Sequence, residues 1–485
     1  MKIIYSIVVL SLVISLLASC KCDEVKGISD YTNLDLSIDR DGIEISRDEL
    51  VVRFSDGISE SEKEKLRDSA FAIAGSTKKC SCGSYQIEMW KIDTTKIKIE
   101  EAKSQTTGGS PGKGYVEGDH QFYFKIPEVG KGSPTTDIIV PDIDTGSRNI
   151  LEGLTSAPGG QGSRMNFAVV DTGFDFNGHN QMPSFLYDVR NTGMNCNQEK
   201  YEHISGWNFV DNNGNIRDSH SDGHGTFVTR TLMRELEDND VHYSILPIKA
   251  FDGLGTGSYW NIVCALNYIK EIQVKNGDMN IVNASFGYDF HRIDEIAKRD
   301  TLIKLQKKGI LAALIEELDS LGTIVVASAG NDGLDTDEPG NAHFPSGFTA
   351  PNLIGVGGYD WIPTSTVEHT VRSISGNYGS VSIDLAAPYK IMFEVGGDNI
   401  MKTGTGTSYG TPIVVARIAQ IMDSGMADSA PAQKINTFLN SDMIQIHSNF
   451  TKKIGGGRYI DSEYQYIKKN GVEVEETGPV AKDNN

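Results

Sequence analysis

A chain of 485 residues, 39% of them hydrophobic, has the material for a large α/β core and is too long for one average domain, so two or three units are expected. Its 45 basic and 65 acidic residues give a formal charge of -20, which repels phosphate backbones and anionic lipid surfaces. Nucleic-acid binding is therefore disfavoured.

Residues 1–19 read as an export signal: Lys2, an apolar run from Ile3 to Leu17, then the small residues Ala18 and Ser19. The run is shorter than the roughly 20 apolar residues that span a bilayer. Leu17-Ala18-Ser19-Cys20 resembles the lipobox of bacterial lipoproteins, which implies cleavage before Cys20, acylation of its thiol and attachment to the membrane through that lipid. The alternative is a plain secretory signal. Acylation of Cys20 would leave Cys22, Cys80, Cys82, Cys196 and Cys264, an odd number in an oxidising compartment. Cys264, inside the apolar helical run Ile262 to Leu266, is the expected free thiol, behaving as a small buried hydrophobe. Cys80 and Cys82 read as disulfides or free thiols, because no further ligand stands at a zinc spacing. No metal site is expected there.

Residues 20–45 are polar and read as a tether. Residues 46–98 form a small α+β unit: a strand over Glu49 to Phe54, a helix from Ser59 to about Ala74 and a strand near Tyr85 to Ile92. Residues 99–160 read as a connecting segment, with a flexible Gly/Ser/Thr/Pro stretch at Ser104 to Gly114 and an alternating patch at Gln121 to Ile126 that has no evident role. From 161 to 468 short apolar strands alternate with helices, the pattern of an α/β domain with a mostly parallel sheet and helices on both faces. The expected strands are Asn166 to Val170, Tyr243 to Lys249, Met279 to Ala284, Gly322 to Ala327 and Leu353 to Val356. Helices fit His224 to Leu236, Ser258 to Ile272, Arg292 to Leu321 in one or two pieces, and Thr407 to Asp423. Residues 469–485 are polar and expected to be disordered.

Four motifs carry chemistry. An apolar strand ends in Asp171-Thr172-Gly173, which puts a carboxylate where open α/β sheets bind ligands, although acids after strands are also ordinary loop residues. In Asp222-Gly223-His224-Gly225-Thr226 the imidazole opens a helix, and a helix N-terminus favours the neutral base; the other nine His residues read as structural or surface groups. Ser408, in Gly404-Thr405-Gly406-Thr407-Ser408, sits at the mouth of a helix with its N–H positioned for an anion, where an isolated Thr-Ser pair would be a helix cap. Asn331 follows the strand Val325 to Ala327 and could donate to a developing oxyanion, or simply form an Asn-Asp-Gly turn.

In the order Asp, His, Asn, Ser, these motifs resemble the subtilase family of serine peptidases over Asn166 to Asp461. The resemblance implies that Asp171 orients His224, that His224 is general base and then acid, and that Ser408 is the nucleophile. It places Asn331 and the Ser408 N–H in the oxyanion hole. It likens Gly255, Thr256 and Gly257 to one edge of the substrate cleft, and Ser285, Phe286 and Gly287 to the other. Ser328, Ala329 and Gly330 would line the pocket beside them. An extended peptide would add there as a strand. The unit at 46–98 resembles, loosely, the family's propeptide, an intramolecular inhibitor and folding aid. A catalytically impaired scaffold that grips peptides is the alternative function.

Two departures stand out: Phe227 replaces the second His usual after His-Gly-Thr, and Tyr409-Gly410 replace the usual Met-Ala after the nucleophile. The family implies no required cofactor, with calcium as a possible structural ion; Asp211, Asn213, Asn215 and Asp218 offer closely spaced oxygens, but not a full twelve-position loop.

Overall fold

The computed structural model describes residues 43–82, 86–109, 115–126, 138–139, 163–176, 184–192, 194, 196, 205–363, 370–395, 400–426 and 428–461. The signal, Cys20, most of the tether and the tail lie outside them. Among the described residues no helix is long and apolar enough to cross a membrane.

The central sheet runs in the order Trp207–Asn208, Tyr243–Lys249, Met165–Asp171, Met279–Ala284, Ile324–Ser328, Leu353–Pro363, Leu385–Pro388, Arg458–Ile460. All neighbours along this path are parallel, and two further strands of the sheet pair antiparallel, Ile444–Ile446 with Arg458–Ile460 and Thr370–Ser375 with Leu353–Pro363. Such a sheet is covered on both faces, which explains why its strands are nearly continuous apolar runs. Ala168, Val170, Val282, Ala284, Val325 and Ala327 point into the core beneath helices Tyr259–Asn276 and Ile310–Ser320. Their alternates Phe167, Val169, Ile281, Ile324 and Val326 join the core of helices His224–Asp238 and Thr407–Ile421. The expected stretch Arg292 to Leu321 divides at Gly309 into helices Ile296–Gln306 and Ile310–Ser320.

The N-terminal unit is larger than the sequence suggests. Its helix Glu60–Ser69 begins at a capping box between Ser59 and Glu62 and lies against the antiparallel strands Ile43–Phe54 and Ile87–Lys91. Part of the presumed flexible stretch is instead helix Ile99–Thr106. The alternating patch belongs to strand Tyr115–Lys125, which pairs with Ile43–Phe54. That pairing joins positions far apart in sequence, so local composition read it as a connection.

On its other side, strand Tyr115–Lys125 pairs antiparallel with Thr256–Ser258, with Phe124 opposite Gly257. One sheet therefore runs from the short strand Lys78–Lys79 through the N-terminal unit to Thr256–Ser258 of the α/β domain. Asp119 reinforces this seam: Oδ2 accepts from Tyr259 Oη at 2.6 Å and from the Ile310 N–H at 2.7 Å, while Gln121 Oε1 accepts from the Trp260 N–H at 3.0 Å. Two helix N-termini thereby receive acceptors from the N-terminal unit.

The cysteine reading is corrected. Cys264 is not free but bonded to Cys80, and Cys82 is bonded to Cys196. Cys264 is buried as expected, but under the N-terminal unit, where a second thiol reaches it.

Candidate active site

Asp171 ends the strand Met165–Asp171 beside the point where strand order reverses, the usual ligand-binding crevice of an open α/β sheet. Its Oδ1 accepts from the Thr172 N–H at 2.6 Å and lies 2.8 Å from Nδ1 of His224. A carboxylate only accepts, so the Nδ1 proton points at Asp171 and Nε2 is left as the basic nitrogen. His224 is the first residue of its helix, and both side chains are buried. Gly225 permits this approach: a Cβ there would lie 2.3 Å from the Gly173 carbonyl oxygen and 2.9 Å from Asp171 Oδ1. Burial works against a charge on His224, but the adjoining Asp171 carboxylate, with Asp218 and Asp222 further out, outweighs it and raises its pKa above the ordinary value.

Ser408 occupies the second position of helix Thr407–Ile421, so its N–H has no partner within the helix. Its hydroxyl donates to the Ser285 carbonyl oxygen at 3.0 Å, and the Ser285 hydroxyl donates to the Ser408 carbonyl at 2.7 Å. The nucleophile candidate is thus tied to the predicted cleft segment rather than hydrogen-bonded to His224. The Tyr409 ring lies 5.5 Å from the His224 ring and is buried, so the first departure after the serine packs on the imidazole. Gly410 fits against the strand Leu385–Pro388, where a Cβ would come within 3.0 Å of Ala387 Cβ and the Pro388 oxygen. Phe227 is partly buried against the core beneath the sheet.

Asn331 Oδ1 accepts from the Thr407 N–H at 2.9 Å and from Thr407 Oγ1 at 3.1 Å. This sets the orientation of the amide and leaves Nδ2 without a hydrogen bond among the described residues. Gly406 makes room for it: φ there is 147°, and a Cβ would lie 3.0 Å from Asn331 Nδ2. The same Thr407 hydroxyl accepts from the Gly330 N–H at 3.1 Å, joining the serine turn to the Ser328–Gly330 segment.

The structure brings the predicted cleft residues together. Gly255, Thr256 and Gly257 face strand Tyr115–Lys125, and the Ile126 N–H donates to the Gly255 oxygen at 2.8 Å. Phe286 is buried with its ring 5.3 Å from that of Phe251, and Ser328 Oγ is 3.4 Å from the Phe286 oxygen. The Ala329 N–H is taken by Val356 in the sheet. The sequence missed His343. Its imidazole is wedged between Gly287 and Gly330, where added Cβ atoms would fall 2.0 Å from Cε1 and 2.8 Å from Nε2 respectively. No local signal marks it; only the fold brings Phe344 and its neighbours beside Tyr288.

The calcium reading does not gain a cage. Asp211 Oδ2 accepts from Asn208 Nδ2, Asn213 Oδ1 and Asn215 Oδ1 accept from N–H groups two residues on, and the Asp218 carboxylate accepts from the N–H groups of His220 and Thr226. These oxygens accept the hydrogen bonds that build local turns. Asp289, His291 and Asp332 bring ligand atoms within 4.8 Å of one another, but Asp289 is already paired with His291, and the Arg292 guanidinium lies 3.7 Å from Asp332.

The sequence model of the subtilase family matches residues 162–454, and the chain belongs to that family. It is 29% identical over 244 residues to a subtilisin-like protease of Coccidioides posadasii, covering 48% of this chain and 50% of that one. To subtilisin-like protease 2 of Arthroderma otae it is 27% identical over 264 residues, covering 50% and 53%. The chain spans about half the length of these curated relatives. A solved lanthipeptide protease aligns with 61% of this chain and 85% of its own at 18% identity, with a TM-score of 0.43.

Proposed function

We propose that the protein is a serine endopeptidase that hydrolyses peptide bonds through an acyl-enzyme intermediate. The observation that carries this reading is the buried pair Asp171–His224, 2.8 Å apart, on the same crevice as the helix mouth that holds Ser408. Ser408 Oγ would leave the Ser285 oxygen, pass its proton to His224 Nε2 and attack the scissile carbonyl. The Ser408 N–H and Asn331 Nδ2 would take the oxyanion. His224 would then protonate the leaving amine, and water would hydrolyse the acyl-enzyme by the same route in reverse. This chemistry calls for no organic cofactor.

The substrate would be an extended protein segment added to Thr256–Ser258 in the manner of strand Tyr115–Lys125, whose occupancy of that edge supports an inhibitory role for the N-terminal unit. The Leu17-Ala18-Ser19-Cys20 pattern supports export and lipid attachment at Cys20. Labelling with a fluorophosphonate serine reagent tests the reading: the protein, with strand Tyr115–Lys125 displaced, should label at Ser408 and Ser408→Ala should not. Equal labelling of the two, or none of either, defeats it and favours the peptide-gripping scaffold.

A further inference from the structure

The N-terminal unit is joined to the α/β domain by more than backbone. Cys80 reaches Cys264 on helix Tyr259–Asn276, and Cys82 reaches Cys196, across sequence separations of 184 and 114 residues. Between them Ser81 Oγ accepts from Trp207 Nε1 at 3.0 Å. Three consecutive residues of one unit therefore grip three separate parts of the other. All four cysteines are buried. A thiolate must touch a sulfur to exchange with it, so soluble thiols meet these bonds only after local opening.

The grip lies just after strand Lys78–Lys79, at the opposite edge of the shared sheet from Thr256–Ser258. The strand over the cleft can therefore detach without breaking the clamp. We propose that the N-terminal unit is a permanent, disulfide-retained chain of the protein and not a released segment. Any backbone cut between Ile126 and Met165 then yields two chains held by Cys80–Cys264 and Cys82–Cys196. The tether keeps strand Tyr115–Lys125 near the cleft at an effective concentration on the order of millimolar, which dilution cannot lower. Whatever is attached ahead of Ile43, a lipid at Cys20 included, stays attached to the α/β domain.

Covalent retention itself does not depend on catalysis; only its bearing on the cleft rests on the peptidase reading. The test uses the full chain with Ser408→Ala and a recognition site for a sequence-specific protease inserted between Ile126 and Met165. After cutting, denaturing electrophoresis without reductant should show one species of full mass, and dithiothreitol should resolve it into two. Separation without reductant overturns the proposal, as does a non-reduced peptide map that joins Cys80 to Cys82. Failure of the Ser408 protein, with strand Tyr115–Lys125 displaced, to label with fluorophosphonate counts against the peptidase reading and leaves this result intact.

Discussion

The phenol of Tyr259 donates to Asp119 at 2.6 Å and accepts from the Leu311 N–H at 3.1 Å, so one carboxylate and one hydroxyl connect the N-terminal unit to two helices of the α/β domain. Lys103 stands 3.5 Å from the same carboxylate; burial lowers its pKa, opposed first by Asp119 and then by Glu100. Asp119→Ala would strand this ammonium and the Ile310 N–H, a loss on the scale of about 3–5 kcal/mol for a broken buried pair. The expected outcome is a lower melting temperature with earlier proteolysis of the N-terminal unit, and a smaller effect for Asp119→Asn, whose amide oxygen still accepts. Unchanged protection in Asp119→Ala would count against Asp119 as the link.

Asp171→Asn keeps the shape of the site but removes the anion facing Nδ1. Turnover should fall on the order of 10⁴-fold, the scale found for triad aspartates, that of subtilisin included. A drop of less than tenfold in kcat/KM would remove Asp171 from the mechanism.

The pH profile follows from the raised pKa of His224. Catalysis needs the neutral ring, so the acid limb of kcat/KM should have its midpoint above the ordinary value of 6.5. Stability moves the other way: a group whose folded pKa is raised contributes fully below its unfolded value, and that contribution is lost as pH rises through the folded one. In a Ser408→Ala background, His224→Gln should flatten this part of the stability curve, read by denaturation between mildly acidic and mildly basic pH. A limb centred below 6.5 in the native protein contradicts the assignment.

Asn331→Ala removes the donor and should lower kcat about 10²- to 10³-fold with little change in KM. That magnitude was measured on subtilisin, a relative, and is borrowed from it. Asn331→Asp retains the acceptor for Thr407 but places negative charge where the oxyanion would form, so its loss should be larger. If the two variants match the native rate, the donor lies elsewhere.

His343 fills the gap between Gly287 and Gly330. His343→Ala should open that gap and shift the preferred residue before the scissile bond toward larger side chains, as read from a peptide-library cleavage profile. An unchanged profile would show that the imidazole does not bound the pocket.

The site was more legible in sequence than the N-terminal unit, for a physical reason. Asp171, His224, Asn331 and Ser408 each need particular backbone within two or three residues, a strand end or a helix mouth with glycine beside it, and such requirements are written locally. Strand Tyr115–Lys125 has its meaning in its partners, Ile43–Phe54 and Thr256–Ser258, which no local pattern names. His343 is a similar case, because its place depends on two glycines, Gly287 and Gly330, in loops that follow other strands. Cys264 was read correctly as buried and wrongly as free, since apolar context predicts burial but cannot say what lies across the interface.

Short apolar strands alternating with helices pointed to the mostly parallel α/β domain, and the four glycine-flanked motifs to its candidate reactive groups, because periodicity and backbone freedom are properties of short segments. Tertiary structure alone decided that Ser408 rests on Ser285, that Asn331 is turned by Thr407, and that two disulfides fasten the N-terminal unit to the α/β domain at the sheet edge away from Thr256–Ser258. Those relations join positions dozens to hundreds of residues apart, and only packing brings them within a bond's reach.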